Sequence, residues 1–578
     1  MTRKYCNCKN KADHCTNRDF RDKSDKLTTI INNIKGRKYG SPICATKENE
    51  TEKKYKKYNY NGSFHKGLQH NLIDGRLVSL TNYERMRDAI VNNDQTKLNN
   101  IQLAKESMVK LANPLASICT LLLGLMQGCF RLEDDPILSS ETAAAEMVEL
   151  YCQVIARDVA FIDYDQSTII NKLLGLKYLN KEDILENLKF IPANIHKKFT
   201  SNTIYRGAYE GSLDGPYISQ LLLLDVIAGA LRYNQQYIGP PSKAEALVES
   251  FRVEWGINLK ETIDLQNGNL SLLPQPTPKN RLTKRYIYNG RSLAEAVHND
   301  PVYQFYYHAS MILSSLNVEA NSGWPKIENQ GNFITNNGIG NIQCILSDVA
   351  LYALKHSWYW KWQHSRKLRP ETFGLWTHDV KSGLVENKDN FDIDDTLLEN
   401  EILKDIYVEN NKWEQKTNSY TLSQAYREGS PIHPSYVSGH AITAGACAAI
   451  LKIFYNGDQL WMSLPGVVSG ILGFPNAIVE ANGEGTQLES YNGQTNKITV
   501  GGEINKLAFN VAMGRNWAGI HYRSDAIKGI LLGEQIAVKY MEDILSLMVE
   551  NNKNGTIPQI TFKNFNGKPI TIKPTICY

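Results

Sequence analysis

The sequence predicts an all-helical fold, on three observations. Apolar residues recur at intervals of three and four from about residue 80 to about residue 550, as in Met147, Leu150, Tyr151, Val154 and Ile155. Asn-Gly-rich stretches interrupt this pattern as loops, and alternation of apolar with polar residues marks only the C-terminal tail.

Taken in order, residues 1–65 are rich in Lys, Asn, Asp and Tyr and poor in aliphatic residues, and read as a flexible or surface-draped arm. Within it Cys6, Cys8, His14 and Cys15 have the residue types of a zinc site but the spacing of no common knuckle, so the segment is assigned to the arm. Residues 66–578 are expected to form one helical domain. Leu111 to Phe130 is uncharged between Lys110 and Arg131 but carries Asn113, Pro114, Ser117 and Gln127, and reads as a buried core helix, not a membrane span. Long loops are expected at 265–290, 320–342 and 481–500, and a helical run from Ile342 is expected to end at Pro370. At about 556–573, Gln559–Phe562 and Ile570–Ile572 flank Phe565-Asn566-Gly567-Lys568, which predicts a hairpin.

Composition excludes several classes. With 42% hydrophobic, 21% charged and 10% aromatic residues the chain is neither disordered nor fibrous. A net charge of +4 over 578 residues gives no global footprint for nucleic acid or membrane, so any important positive charge is local. Of ten cysteines, seven are scattered singly from Cys44 to Cys577, unlike the framework of a small disulfide scaffold. No apolar stretch of signal-peptide length follows the first residues, so the chain is expected to be soluble with its compartment undecided.

Three stretches bring together groups that suit a tetrahedral oxyanion. In Lys361-Trp-Gln-His-Ser-Arg-Lys-Leu-Arg369-Pro370 an ammonium and a guanidinium follow a helical run, which by itself is also what an ordinary charged helix end looks like. In Ser430-Pro-Ile-His433-Pro-Ser-Tyr-Val-Ser438-Gly439-His440 a loop feeds a small-residue helix, whose unpaired N–H groups and positive dipole can hold an anion beside Ser438 and Gly439. His433 and His440, seven residues apart, are acid–base candidates near neutral pH. In Gly514-Arg515-Asn-Trp-Ala-Gly-Ile-His521-Tyr-Arg-Ser-Asp525 a guanidinium precedes a histidine whose second nitrogen can bond Asp525 four residues on.

In that order, these stretches resemble the signature shared by vanadium haloperoxidases and type 2 phosphatidic acid phosphatases. Vanadate and phosphate are isosteric, and both need dispersed negative charge neutralised. Seven residues separate Lys361 from Arg369, where the phosphatases usually have six. Longer segments resemble the algal bromoperoxidases: Glu428 to Tyr436, Glu146 to Tyr151 with Arg157-Asp158-Val159, Gly215 to Gln220, and Gly502 to Leu507 running into Gly514-Arg515-Asn516. The resemblance spans roughly residues 70 to 573 and implies two helical bundles packed in one compact unit, often self-associated.

It also implies roles. His521 is the vanadium ligand; Lys361, Arg369 and Arg515 pair the other oxygens; Ser438 and the Gly439 N–H add donors; His440 bonds the axial hydroxide; and His433 takes a proton from peroxide. Lys361 polarises the bound oxidant. Trp358 lies beside it, and Asp300, in Val297-His-Asn-Asp300, partners Arg515. The implied cofactor is vanadate, with structural calcium left open; the implied partners are hydrogen peroxide, bromide or iodide, an organic halogen acceptor and a second copy of the chain. The alternative is an acid phosphatase with His521 as the phosphorylated nucleophile and His440 as the leaving-group acid. His433 and the long matched segments argue against it.

Overall fold

A computed structural model describes residues 45–116, 130, 132–176, 199–276, 278, 282–325, 334, 337–389, 392–414, 416–470, 478–547 and 559–573. Helices dominate. Those that carry the site are α1 (Glu50–Tyr55), α2 (Leu80–Val91), α3 (Glu141–Ala156), α4 (Gly290–Ala296), α5 (Ile339–Trp358), α6 (Pro370–Lys381), α7 (Gly439–Phe454), α8 (Val500–Trp517) and α9 (Arg523–Leu547). Strands occur only as antiparallel pairs among the described residues: β1 (Val226–Ala228) with β2 (Leu231–Tyr233), β3 (Tyr237–Gly239) with β4 (Thr283–Arg285), β5 (Val479–Ala481) with β6 (Leu488–Ser490), and β7 (Ile560–Lys563) with β8 (Pro569–Ile572). The last pair is the hairpin expected at the tail, with Phe562 opposite Ile570.

The centre of the fold is α7, which packs on α5, α8 and α9. Its sequence, Gly-His-Ala-Ile-Thr-Ala-Gly-Ala-Cys-Ala-Ala-Ile-Leu-Lys-Ile-Phe, is apolar on every face, as a helix surrounded by other helices must be. Small residues let α9 come close: a side chain at Gly445 would meet the Ile530 carbonyl at 1.9 Å, and one at Gly533 would meet that of Ile442 at 2.1 Å. Ser438 caps α7, its hydroxyl accepting from Ala441 N–H.

Three expectations change. The arm ends earlier than residue 65: α1 is helical, and Tyr55, Tyr60 and Phe64 are buried, the last two in a second small core with Leu68, Tyr83, Met86, Ile90 and Trp362. Its large aromatic residues supply the burial that a count of aliphatic residues misses. Two of the expected loops are not all loop: 265–290 contains β4, paired with β3, and β5 and β6 form a ribbon at the start of 481–500. Pro370 does not end the helical run: α5 continues as a π-helical turn over Tyr359–Ser365, Arg366 closes it in the left-handed region (φ 47°), and Pro370 opens α6 at its first position.

The Cys6–Cys15 cluster lies outside the described residues, as does most of the stretch proposed as a core helix; Leu111–Leu115 there is not helical. No described helix is long and apolar enough to cross a membrane.

Candidate active site

The loop before α7, the start of α7, the end of α5, the end of α8 and the turn before α9 converge on a cavity of about 200 Å³ lined by Trp358, His433, Gly439, His440, Arg515 and His521, with Asp300, Val302, Leu354 and Thr443; Lys361 and Arg369 stand behind this lining. Each side chain is held by a specific partner.

Lys361 is fully buried, and its Nζ donates to the carbonyls of Pro434 and Ser435, each at 2.7 Å. Burial and the nearby Arg369 push its pKa well down, so the ammonium is short of compensating negative charge. Arg369 is the hub: Nε donates to the His433 carbonyl (2.9 Å), Nη1 to the Ile520 carbonyl (2.7 Å) and His521 Nε2 (2.9 Å), and Nη2 to His433 Nδ1 (2.9 Å). The third cation, Arg515, donates from Nη1 to the Val297 carbonyl at 2.6 Å, while its buried Nε has no hydrogen-bond partner among the described residues.

Because a guanidinium can only donate, His521 must accept at Nε2 and carry its proton on Nδ1. That N–H faces Asp525 Oδ2 at 2.8 Å. The same carboxylate oxygen accepts from Tyr522 N–H at 3.1 Å and from the Ser435 hydroxyl. The first turn of α9 is fixed from behind by α3, where Glu146 accepts from Ser524 N–H (2.5 Å) and Glu149 grips Arg523 Nε (2.9 and 3.0 Å). These two carboxylates explain why the Glu146–Tyr151 stretch goes with the site. His440 pairs Nε2 with Asp300 Oδ1 at 2.8 Å. His433 Nδ1 has a donor, Arg369, and an acceptor, the Pro434 carbonyl at 3.1 Å, so both protonation states can be bonded.

All three histidines are held neutral. Burial is the main cause for each; Lys361 and Arg369 add to it at His433, Arg515 at His440, and Arg369, Lys361 and Arg515 at His521. Arg515 and three neutral imidazoles line the cavity, Lys361 and Arg369 lie behind the loop and histidines they bond, and Asp300 and Asp525 are engaged by histidines, which leaves a surplus of positive charge that an oxyanion would neutralise.

One sequence expectation is corrected. Asp300 bonds His440; it is backbone carbonyl, chiefly that of Val297, that holds Arg515. The Trp358 indole N–H is taken by the Ala112 carbonyl at 3.0 Å, so the residue offers the cavity only its ring, 4.8 Å from that of His433. Ser435 went unassigned although it lies in a quoted motif; its hydroxyl bonds to Asp525 are visible only once loop and α9 meet. Among the described residues no group of three or more His, Cys, Asp or Glu is arranged to hold a metal ion.

Comparison with known proteins gives the family. Residues 406–550 match the VCPO second helical-bundle domain. A vanadium-dependent bromoperoxidase of Corallina officinalis is 31% identical over 449 residues, 71% of each chain, and one of Ascophyllum nodosum is 29% identical over 542 residues, 92% of this chain and 88% of that one. The chain belongs to the vanadium-dependent bromoperoxidase family. The fold agrees: the homohexameric structure of the second vanadate-dependent bromoperoxidase of A. nodosum superposes with a TM-score of 0.82 at 23% identity, over 99% of this chain and 94% of that one. Within the bromoperoxidase family, then, the residues around this cavity can be read for chemistry.

Proposed function

We propose that the chain is a vanadate-dependent haloperoxidase that uses hydrogen peroxide to oxidise bromide and iodide to hypohalous acid, which then halogenates an organic acceptor. The observation that carries this reading is His521, which lines the cavity with Arg515: its Nδ1–H is committed to Asp525, and its Nε2 is kept as an acceptor, bonded by Arg369 Nη1 at 2.9 Å, an N–H that an oxyanion could take over. A neutral imidazole with Arg515 beside it and Lys361 and Arg369 behind fits a vanadate anion, and the buried Nε of Arg515, without a partner among the described residues, fits one of its oxygens.

In this reading His521 Nε2 is the ligand, the three cations bind the remaining oxygens, and Ser438 with the Gly439 N–H completes the cradle at the start of α7. When bound, vanadate would supply a Lewis-acidic centre that activates peroxide toward halide with no change in its own oxidation state. The protein orients and moves protons. Asp300 accepts the Nε2–H of His440, leaving Nδ1 able to exchange a proton. With its Nδ1–H donated to Pro434, His433 has a free Nε2 to take a proton from peroxide at the cavity. Lys361 and Arg369 concentrate positive charge where negative charge must be dispersed, and Trp358 and Leu354 limit access of water. Self-association of this chain belongs to the same proposal and is checked by light scattering.

The test is competition. Metal-stripped protein should recover bromination of a phenol-type dye with orthovanadate, and excess phosphate should slow that recovery while supporting no halide oxidation itself. Reactivation indifferent to phosphate, or phosphate-ester hydrolysis with no bound vanadium, would contradict the reading.

A further inference from the structure

The segment Val297–Asp300 reaches two parts of the cavity at once. Its carbonyls at Val297 (2.6 Å) and His298 (3.4 Å) accept from Arg515 Nη1, and the Asp300 carboxylate holds His440 Nε2 at 2.8 Å. Val297 is the C-terminal cap of α4, so Arg515 also neutralises the negative end of that helix. Gly514 makes the approach possible, since a side chain there would lie 2.6 Å from Val297 Cγ2.

One side chain clasps this segment to the loop that carries His433. The His298 ring lies flat on Tyr426, with centroids 3.7 Å apart and planes 1° from parallel, and its Nε2 is 2.5 Å from Glu428 Oε1. Glu295 adds a carboxylate 3.6 Å from Nδ1. Burial opposes charge on this ring, but Glu295 and Glu428 outweigh it and raise its pKa to about 9, so at neutral pH the ring is an imidazolium with two donors. Tyr426 is tied in as well: its hydroxyl donates to the Ala294 carbonyl at 2.5 Å, and the Arg515 guanidinium carbon lies 5.3 Å from its ring.

We propose that His298, pinned by Glu428 and Tyr426, is a positioning residue for the oxyanion site: it sets the 297–300 segment, which in turn aims Arg515 and His440. The inference rests on the haloperoxidase reading above. The Glu428 side chain is 44% exposed, so as an ion pair alone the clasp contributes little to stability. Its consequence lies in geometry, and that separates the proposal from a merely structural role.

The experiment uses the full chain stripped of metal, with orthovanadate binding followed by calorimetry and bromide kinetics at saturating vanadate. The variants are Glu428→Gln, His298→Gln and the pair together. Each single change is expected to raise the Kd for orthovanadate about tenfold and to lower kcat, with the KM for bromide unchanged, the melting temperature within about 2 °C of wild type, and the double variant no worse than either single. A Kd within about twofold of wild type in Glu428→Gln, or losses that multiply in the double variant, overturns the proposal. Should His298→Gln fail to fold, Glu428→Gln decides alone. Failure of the wild type itself to bind orthovanadate overturns the haloperoxidase reading instead.

Discussion

Asp525 decides which nitrogen of His521 faces the cavity, and it does so with a carboxylate that also bonds Ser435 and the Tyr522 N–H. An amide in its place keeps the shape but competes as donor and acceptor, so the ring loses its fixed tautomer. Asp525→Asn is therefore expected to weaken vanadate binding about 10- to 100-fold, measured by equilibrium dialysis; unaltered affinity would mean that the tautomer is set elsewhere. His433 is poised differently, between one donor and one acceptor. At saturating vanadate, His433→Ala should lower bromide turnover more than iodide turnover, since bromide is the harder ion to oxidise and depends more on the bonded network. Equal losses on the two halides would remove that role. At this scale most of the site was legible, because Lys361, Arg369, Ser438, Gly439, Arg515 and His521 stand in three recognisable stretches. Asp300 was assigned the wrong partner because a sequence cannot show that backbone carbonyl serves Arg515 better than a carboxylate does.

The elements explain how a buried loop can keep three cations in place. Glu52, from α1, grips Arg366 with two bonds of 2.7 Å and accepts a third, also 2.7 Å, from Tyr83 of α2, while Asn49 completes a capping box with the same carboxylate. Arg366 ends the π-turn that carries Lys361, so this pair anchors the turn from below. Removing the charge in Glu52→Gln strands a buried guanidinium and should cost about 3–5 kcal/mol, read from denaturant unfolding; a loss below about 1 kcal/mol would make the pair incidental. Burial would raise the Glu52 pKa, but Arg366 outweighs it and holds it below the usual 4.5. The sign follows: this contribution is complete above about pH 4.5 and disappears as pH falls through the lower folded value. None of this was readable beforehand, because α1 is short, charged and without an apolar period, and it is ordered by partners more than 300 residues away. The π-turn was equally hidden, since Tyr359 to Ser365 differs in no residue type from an α-helix.

For the whole molecule the helical period was the dependable signal, while the central helix α7, apolar all round, was marked instead by its run of small residues; the three ribbons β1–β2, β3–β4 and β5–β6, with strands of three residues each, are too short to leave a pattern. The chain also keeps histidines neutral away from the cavity. His70 and His378 are pushed to about 4 by burial, and His65, which shares a 2.8 Å bond with His70, is pushed well down for the same reason. Their folded values lie below the unfolded 6.5, so the stability they represent is present above about pH 6.5 and lost as pH falls toward 4, on the order of 3 kcal/mol for each of His70 and His378. Thermal unfolding between pH 7 and 4 should show a steep decline that is milder in His378→Gln; parallel curves would exclude His378 as a contributor. The π-turn has a different kind of consequence, one of tolerance to insertion and deletion. A π-turn takes up an extra residue as girth, not as length. A residue gained or lost between Lys361 and Arg369 can therefore be taken up as a change in the winding of the helix, with Pro370 still opening α6.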